Sequence, residues 1–118
     1  MKTAFDLMTK QGYLAFHRAC CDKMVAVTAM KNSDYTTKED PFSNFKNVET
    51  LGITSAEVGF IVRMTDKMSR IASLLRPDAV QQVKDESVDD TLLDLANYAI
   101  LLMGYRAQKK QQKSEVKS

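Results

Sequence analysis

The segment that decides the fold is residues 87–105, SVDDTLLDLANYAILLMGY. Drawn as a helix, it is apolar over most of its circumference, and it lacks both proline and the β-branched alternation expected of a strand. Ser87 and Asp90 have the spacing of a capping box, so we expect a helix that begins at Ser87 and ends near Arg106. A helix with so little polar surface is predicted to be buried among other helices.

Two more long helices and one short helix are predicted upstream. Both long helices begin at a capping-box pair: Thr3 with Asp6, and Thr54 with Glu57. The first is expected to end near Lys31, and the second ends before Pro77 because proline disfavours a helical conformation in the residue before it. The short helix lies between them and ends at Gly52.

We therefore predict an all-α protein with three long helices plus a short one. Residues 1–108 are expected to form a single helical domain, and the polar, basic residues 109–118 a flexible tail. Because three helices leave an apolar face uncovered, we expect a homodimer or higher homo-oligomer that completes a four-helix-type bundle.

Composition argues against several classes of protein. The 118-residue chain has a net charge of +2, which is too small to indicate direct binding of nucleic acid. Its two cysteines are adjacent and it has a single histidine, so a zinc site is not expected. No apolar run is long enough to span a membrane, and the N-terminal residues lack the apolar core of a secretory signal. These features predict a cytoplasmic protein without a membrane partner.

A stripe of charged residues marks the second long helix. Arg63, Asp66, Lys67 and Arg70 have the spacing i, i+3, i+4 and i+7, which places all four on one face. Arginine offers a bidentate fork to phosphate and lysine a mobile point charge, so the stripe is suited to a phosphate group. The alternative is a solvated face with an internal pair between Asp66 and Arg70.

A second polar strip runs along the last helix. Asp90, Asp94, Asn97 and Tyr98 have the spacing i, i+4, i+7 and i+8 within otherwise apolar surroundings. A carboxylate at Asp94 would be buried there and would need a cation, a metal or hydrogen-bond donors. If the strip faces Arg63 and its neighbours, the two form a charged pocket between helices. The alternatives are that Asp90 only caps the helix and that Asp94 forms a structural ion pair.

Residues around the first loop offer further binding groups. Lys31, Asp34 and Tyr35 follow the first helix, and Phe45 lies in the short helix. An aromatic ring in this region would be able to stack on a nucleotide base. The alternative is that the loop residues form an ordinary turn and Phe45 closes the core.

Three blocks of the sequence carry a resemblance to a known family. They are KNSDY at residues 31–35, VRMTDKMSR at 62–70 and VKDESVDDTLLDLANYA at 83–99. Their order and spacing resemble the nucleotide modification associated domain 1 family of phages and bacteria, over about residues 25–103. That family is similar to the MazG-like all-α nucleotide pyrophosphatases, which hold Mg²⁺ against a nucleoside triphosphate between two acidic helices and act as dimers or tetramers. The resemblance implies a nucleotide or nucleotide-derived ligand, in the host cytoplasm if the protein is phage-encoded.

The resemblance carries over only in part to the metal site. Asp90 and Asp94 match the acidic pair on the last helix, and Asp66 is a third candidate ligand for Mg²⁺. The pyrophosphatases also have two glutamates on an earlier helix, where this chain has Glu57 alone, followed by the cations at Arg63 and beyond. A Mg²⁺ site requires several oxygen ligands, so this departure favours direct binding of phosphate over metal-mediated hydrolysis.

The predicted function is therefore a phage-type protein that binds a phosphorylated nucleotide in a pocket between helices, linked to nucleotide metabolism or modification. The predicted ligand-binding residues are Lys31, Asp34, Tyr35, Phe45, Arg63, Lys67, Arg70, Asn97 and Tyr98. No catalytic residue is assigned. The alternatives are a non-catalytic anti-defence sponge for a nucleotide-derived immune signal, a Mg²⁺-dependent MazG-like pyrophosphohydrolase, and a structural partner whose stripes form interhelical ion pairs.

Overall fold

A computed structural model describes residues 5–35, 40–78 and 81–117, with side chains omitted at 32–35, 81–87 and 115–117. The regular structure within these ranges consists of four helices: α1 Lys10–Tyr35, α2 Ser43–Thr50, α3 Ala56–Leu74 and α4 Gln81–Lys117. The prediction of an all-α protein with three long helices and one short one is confirmed. None of the described helices is both long enough and apolar enough to cross a membrane. Self-association stays a prediction.

The chain divides into two compact units, Met1–Glu39 and Asp40–Ser118. The first unit contains α1, and the second contains α2, α3 and α4. The predicted single domain at residues 1–108 stays a prediction, and each unit is described by itself.

The first unit begins its helix later than predicted. The Thr9 hydroxyl accepts a hydrogen bond from the Gly12 N–H at 3.0 Å, and the Thr9 carbonyl accepts one from the Tyr13 N–H at 3.0 Å. Thr9 therefore caps α1, and the predicted start at Thr3 is wrong; Thr3 itself lies outside the described residues. Asp6 precedes the helix and accepts a hydrogen bond from the Met8 N–H instead, because short acidic side chains readily bond to nearby backbone.

Helix α2 and the start of α3 are defined by a glycine turn and a serine cap. Gly52 has a φ of +75°, and the next N–H, of Ile53, donates to the Val48 carbonyl at 2.9 Å, as in a Schellman motif. The predicted end of the short helix at Gly52 is thus confirmed. Ser55 rather than Thr54 is the N-cap of α3, because its hydroxyl accepts from the Val58 N–H at 3.2 Å.

Helix α4 is longer than predicted at both ends. It begins at Gln81 rather than at Ser87 and continues to Lys117 rather than ending near Arg106. Both added stretches are polar, but they are rich in glutamine, lysine and glutamate and lack glycine and proline, so they favour a helix. Ser87 lies inside the helix, which means that the predicted capping role of Asp90 is wrong.

An aromatic cluster forms the core of the second unit. Phe60 of α3 is fully buried, and its ring stacks on that of Phe45 from α2 with centroids 4.3 Å apart. Tyr105 of α4 is 3% exposed and lies 5.9 Å from Phe60, centroid to centroid. The Tyr105 ring also meets Phe42, the residue before α2, edge to face. The Phe60 ring of α3 thus contacts an aromatic ring from each of the other two helices, α2 and α4.

The sequence predicted that helix α4 is buried among other helices. In the structure the helix is not buried on all sides. Within the structure, Leu92, Ile100 and Met103 are 46%, 52% and 70% exposed. Within the described residues, the buried positions of α4 are Thr91, which is 4% exposed, and Tyr105. The apolar surface of α4 is thus only partly covered within this unit, where Leu101 and Leu102 pack against the core. The exposed apolar side chains are able to pack against a partner.

Asp40 links the start of α2 to α4. Its carboxylate accepts hydrogen bonds from the Phe42 N–H at 2.9 Å and from the Gln108 side chain at 3.1 Å, and it forms an ion pair with Lys46. Burial acts to raise the pKa of the Asp40 carboxyl, but the hydrogen bonds from Lys46, Phe42 and Gln108 outweigh it, and the pKa lies below the ordinary value of 3.8.

Asp40→Asn is expected to destabilise the protein at neutral pH and to matter little in acid. Because the folded-state pKa is depressed, the carboxylate contributes stability above its unfolded-state pKa and loses it as the pH falls through the folded-state value. The thermal midpoints of wild type and variant should differ at neutral pH, and the difference should shrink as the pH falls below 3.8 and vanish below the folded-state pKa. Asp78→Asn, which removes an exposed carboxylate, serves as the control. A midpoint difference that stays constant down to low pH would contradict this role.

Candidate functional site

An open cleft of about 600 Å³ is lined by α3 and α4. Its lining residues are Arg63, Asp66, Lys67, Arg70 and Tyr98. The four from α3 are the charged stripe of the sequence, which the helix places on one face as its spacing requires. Among the described residues, no ion pair joins Asp66 to Arg70, and the stripe contains three cations and one carboxylate.

The polar strip of α4 meets this stripe at two points. The Lys67 ammonium lies 3.3 Å from an Asp94 carboxylate oxygen, and an Arg63 guanidinium nitrogen lies 3.5 Å from the Tyr98 hydroxyl. The two contacts are about one turn apart on each helix, with the order reversed, because α3 and α4 run antiparallel. The structure therefore brings together the two strips that the sequence analysis identified separately.

The Asp94 carboxylate is less buried than its sequence context suggested. The side chains of Lys67 and Asp94 are 30% and 43% exposed, so the prediction of a buried carboxylate is wrong. The cation that was expected as its partner is present, but water reaches both groups. Exposed ion pairs of this kind contribute little to stability. The contact places the Lys67 ammonium beside Asp94 in the lining of the cleft.

Arg63 has a second contact that the sequence analysis did not predict. Its guanidinium carbon lies over the ring of Phe45, 5.2 Å from the centroid. The Phe45 ring also meets the Tyr98 ring edge to face, with centroids 6.2 Å apart. No spacing pattern links α2 to α3 in this way, because the contact depends on how the two helices pack.

The three acidic residues predicted to bind Mg²⁺ are not gathered into one site. Asp66 lines the cleft, Asp94 is paired with Lys67, and Asp90 is exposed on α4. Within the described part of the chain, no three acidic, histidine or cysteine side chains are close enough to hold a metal ion. As placed in the described structure, Asp66, Asp90 and Asp94 do not form a three-ligand site for Mg²⁺. Binding of Mg²⁺ stays a prediction.

Other predicted site residues lie elsewhere or are not described. Asn97 is half-buried on α4 and does not line the cleft. Lys31 is exposed on α1 in the first unit. The side chains of Asp34 and Tyr35 lie outside the described residues.

Glu57 does not belong to the cleft. One of its carboxylate oxygens accepts a hydrogen bond from Lys109 of α4 at 3.2 Å, near the start of α3. This hydrogen bond, with the negative charge of Glu57, raises the pKa of Lys109. Glu57 was assigned a capping role with Thr54 from its spacing, but it instead ties the start of α3 to α4.

Fold and site together define a small helical protein with an open cleft in which cations outnumber carboxylates. Residues 54–103 match the family model described as nucleotide modification associated domain 1. The match covers less than half of the chain, and it includes all five residues that line the cleft. Comparison with curated proteins and with solved structures found no match.

Asp94→Asn tests whether the exposed pair matters for folding. We expect the free energy of unfolding to change by less than about 1 kcal/mol, because both charges remain accessible to water. Urea unfolding at neutral pH measures the change. Phe60→Leu, which alters a fully buried ring, should cost clearly more. A loss of several kcal/mol in Asp94→Asn would show instead that the carboxylate is part of a buried structural pair.

Proposed function

We propose that the cleft of α3 and α4 binds a phosphorylated nucleotide. The observation that carries this proposal is the convergence of Arg63, Lys67 and Arg70 on one open cleft that also contains the ring of Tyr98. The cations contact phosphate oxygens, and the tyrosine ring lies beside the base. The function is linked to nucleotide metabolism or modification.

Electrostatics supports an anionic ligand. Three cations line the cleft against one lining carboxylate, Asp66, and Lys67 has a second nearby carboxylate in Asp94. Arg63 and Arg70 are seven residues apart, so their Cα atoms are separated by roughly 10 Å along the helix. Guanidinium groups at the two ends of such a stripe are able to hold separate phosphate oxygens with bidentate geometry.

The family match supports a nucleotide rather than another anion. The matched segment contains the complete set of cleft-lining residues, and the family description refers to nucleotide modification. The ring of Tyr98 offers a surface on which a base is able to stack. An inorganic anion would not need such a ring. The Mg²⁺-dependent hydrolase is less well supported, because the described carboxylates do not form a metal site.

The proposal is tested by calorimetric titration with nucleosides and with their mono-, di- and triphosphates at low salt, with and without Mg²⁺. We expect binding of phosphorylated ligands without added metal, weakening as salt increases, and no binding of the unphosphorylated nucleosides. Ligand recovered intact after incubation would agree with a binding protein. Equal binding of nucleosides, or no binding at all, would rule out the proposed function, and conversion of the ligand only with Mg²⁺ would support a pyrophosphohydrolase.

Arg70→Gln is expected to weaken binding of the phosphorylated ligand by about tenfold, because a charge-assisted hydrogen bond to phosphate is lost. Lys110→Gln is the matched control, since it removes the same unit of charge from an exposed position of α4 outside the cleft. The dissociation constants of both variants are measured by the same titration. If the two substitutions weakened binding equally, the effect would come from net charge alone and not from a contact in the cleft.

A further inference from the structure

Phe45 occupies an unusual place between the core and the cleft. Its ring stacks on the fully buried Phe60 at a centroid distance of 4.3 Å and an interplanar angle of 15°. The guanidinium of Arg63 lies over the same ring at 5.2 Å. Phe45 is thus fixed by the core and in turn contacts a cation that lines the cleft.

The contacts of Arg63 restrict a side chain that would otherwise be mobile. Arg63 is exposed, and among the described residues no carboxylate forms an ion pair with it. Its guanidinium is held by two aromatic partners, the Phe45 ring and the Tyr98 hydroxyl at 3.5 Å. An arginine with many rotamers loses conformational entropy when it binds a ligand, and a partner that already restricts it reduces that loss.

The ring of Phe45 is poorly placed to stack on a base. One face is involved in the stack with Phe60, the Arg63 guanidinium lies over the ring, and the Tyr98 ring meets it edge to face. A base that stacked on it would have to displace one of these groups. Phe45 is also not among the residues that line the cleft, whereas Tyr98 is.

We propose that Phe45 is a positioning residue, which holds the Arg63 guanidinium by a cation–π contact in the orientation that receives a ligand phosphate. The ring itself does not touch the ligand. This inference rests on the proposed nucleotide binding and adds to it a role for α2, the short helix that carries no cleft-lining residue. The sequence left open whether Phe45 stacks on a base or closes the core, and the proposed positioning role differs from both.

The first test is the affinity of Phe45 variants for the phosphorylated nucleotide that binds wild type most tightly. Phe45→Leu should weaken binding by about two- to fivefold, the range expected from an exposed cation–π contact. Phe45→Tyr should restore the affinity because it retains the ring. Phe42→Leu is the matched control, since Phe42 belongs to the same aromatic cluster and contacts Tyr105 rather than Arg63; it should leave the affinity unchanged.

A double-mutant cycle separates positioning from a general loss of structure. In an Arg63→Gln background, Phe45→Leu should cause no further loss of affinity, because the group that it positions is gone. Independent, additive losses would overturn the positioning role while leaving the nucleotide-binding proposal intact. A wild-type protein that bound no nucleotide would overturn both proposals.

The contact is also measurable without ligand. In the NMR spectrum of the wild-type protein, the Arg63 side-chain protons should be shifted by the ring current of Phe45. Phe45→Leu should move them toward the values of an exposed arginine, and Phe42→Leu should not. If Phe45→Leu fails to fold, Phe45→Met takes its place, because methionine fills the space without an aromatic ring and should move the Arg63 protons in the same direction. Unchanged Arg63 resonances in a folded Phe45→Leu protein would overturn the proposal.

Discussion

The packing of the Phe60 ring is the interaction on which the second unit depends. Phe60 is fully buried and contacts an aromatic ring from each of the other two helices, Phe45 of α2 and Tyr105 of α4. Its burial also fixes the rotation of α3 about its own axis. Positions three, seven and ten residues after Phe60 lie on the same side of a helix, and they are occupied by Arg63, Lys67 and Arg70. The core contact therefore turns the cations toward α4.

The seam, by which we mean the line of contact between α3 and α4, changes from apolar to charged along its length. Around Phe60 and Tyr105 it is apolar and closed, whereas farther along α3 it is occupied by long cationic side chains that face Asp94 and Tyr98. Charged groups lose much of their hydration free energy when they are buried without full compensation. The polar part of the seam accordingly remains open to water as a cleft. A phosphorylated ligand that entered it would replace this water with hydrogen bonds and opposite charge.

The sequence predicted the helices and the two polar strips well, because both follow from spacing along a single helix. It predicted helix starts less well, because two hydroxyl residues compete to cap each start: Thr9 caps α1 in place of Thr3, and Ser55 caps α3 in place of Thr54. Apart from the facing of the two polar strips, contacts between distant segments were not predicted. Asp40 and Gln108 are 68 residues apart, and the contact of Arg63 with Phe45 requires the packing of α2 on α3.

Mapping of ligand binding by backbone amide chemical shifts tests the central claim most directly. The ¹⁵N-labelled protein would be titrated with a nucleoside triphosphate at low salt, and the shift changes would be assigned to residues. The structure predicts that the largest changes lie at residues 63–70 of α3 and around Tyr98 of α4, with little change near Glu57 and Lys109 at the other end of the same helices. Changes concentrated away from residues 63–70, or no changes at a ligand concentration of several millimolar, would contradict the assignment of the cleft as a nucleotide site.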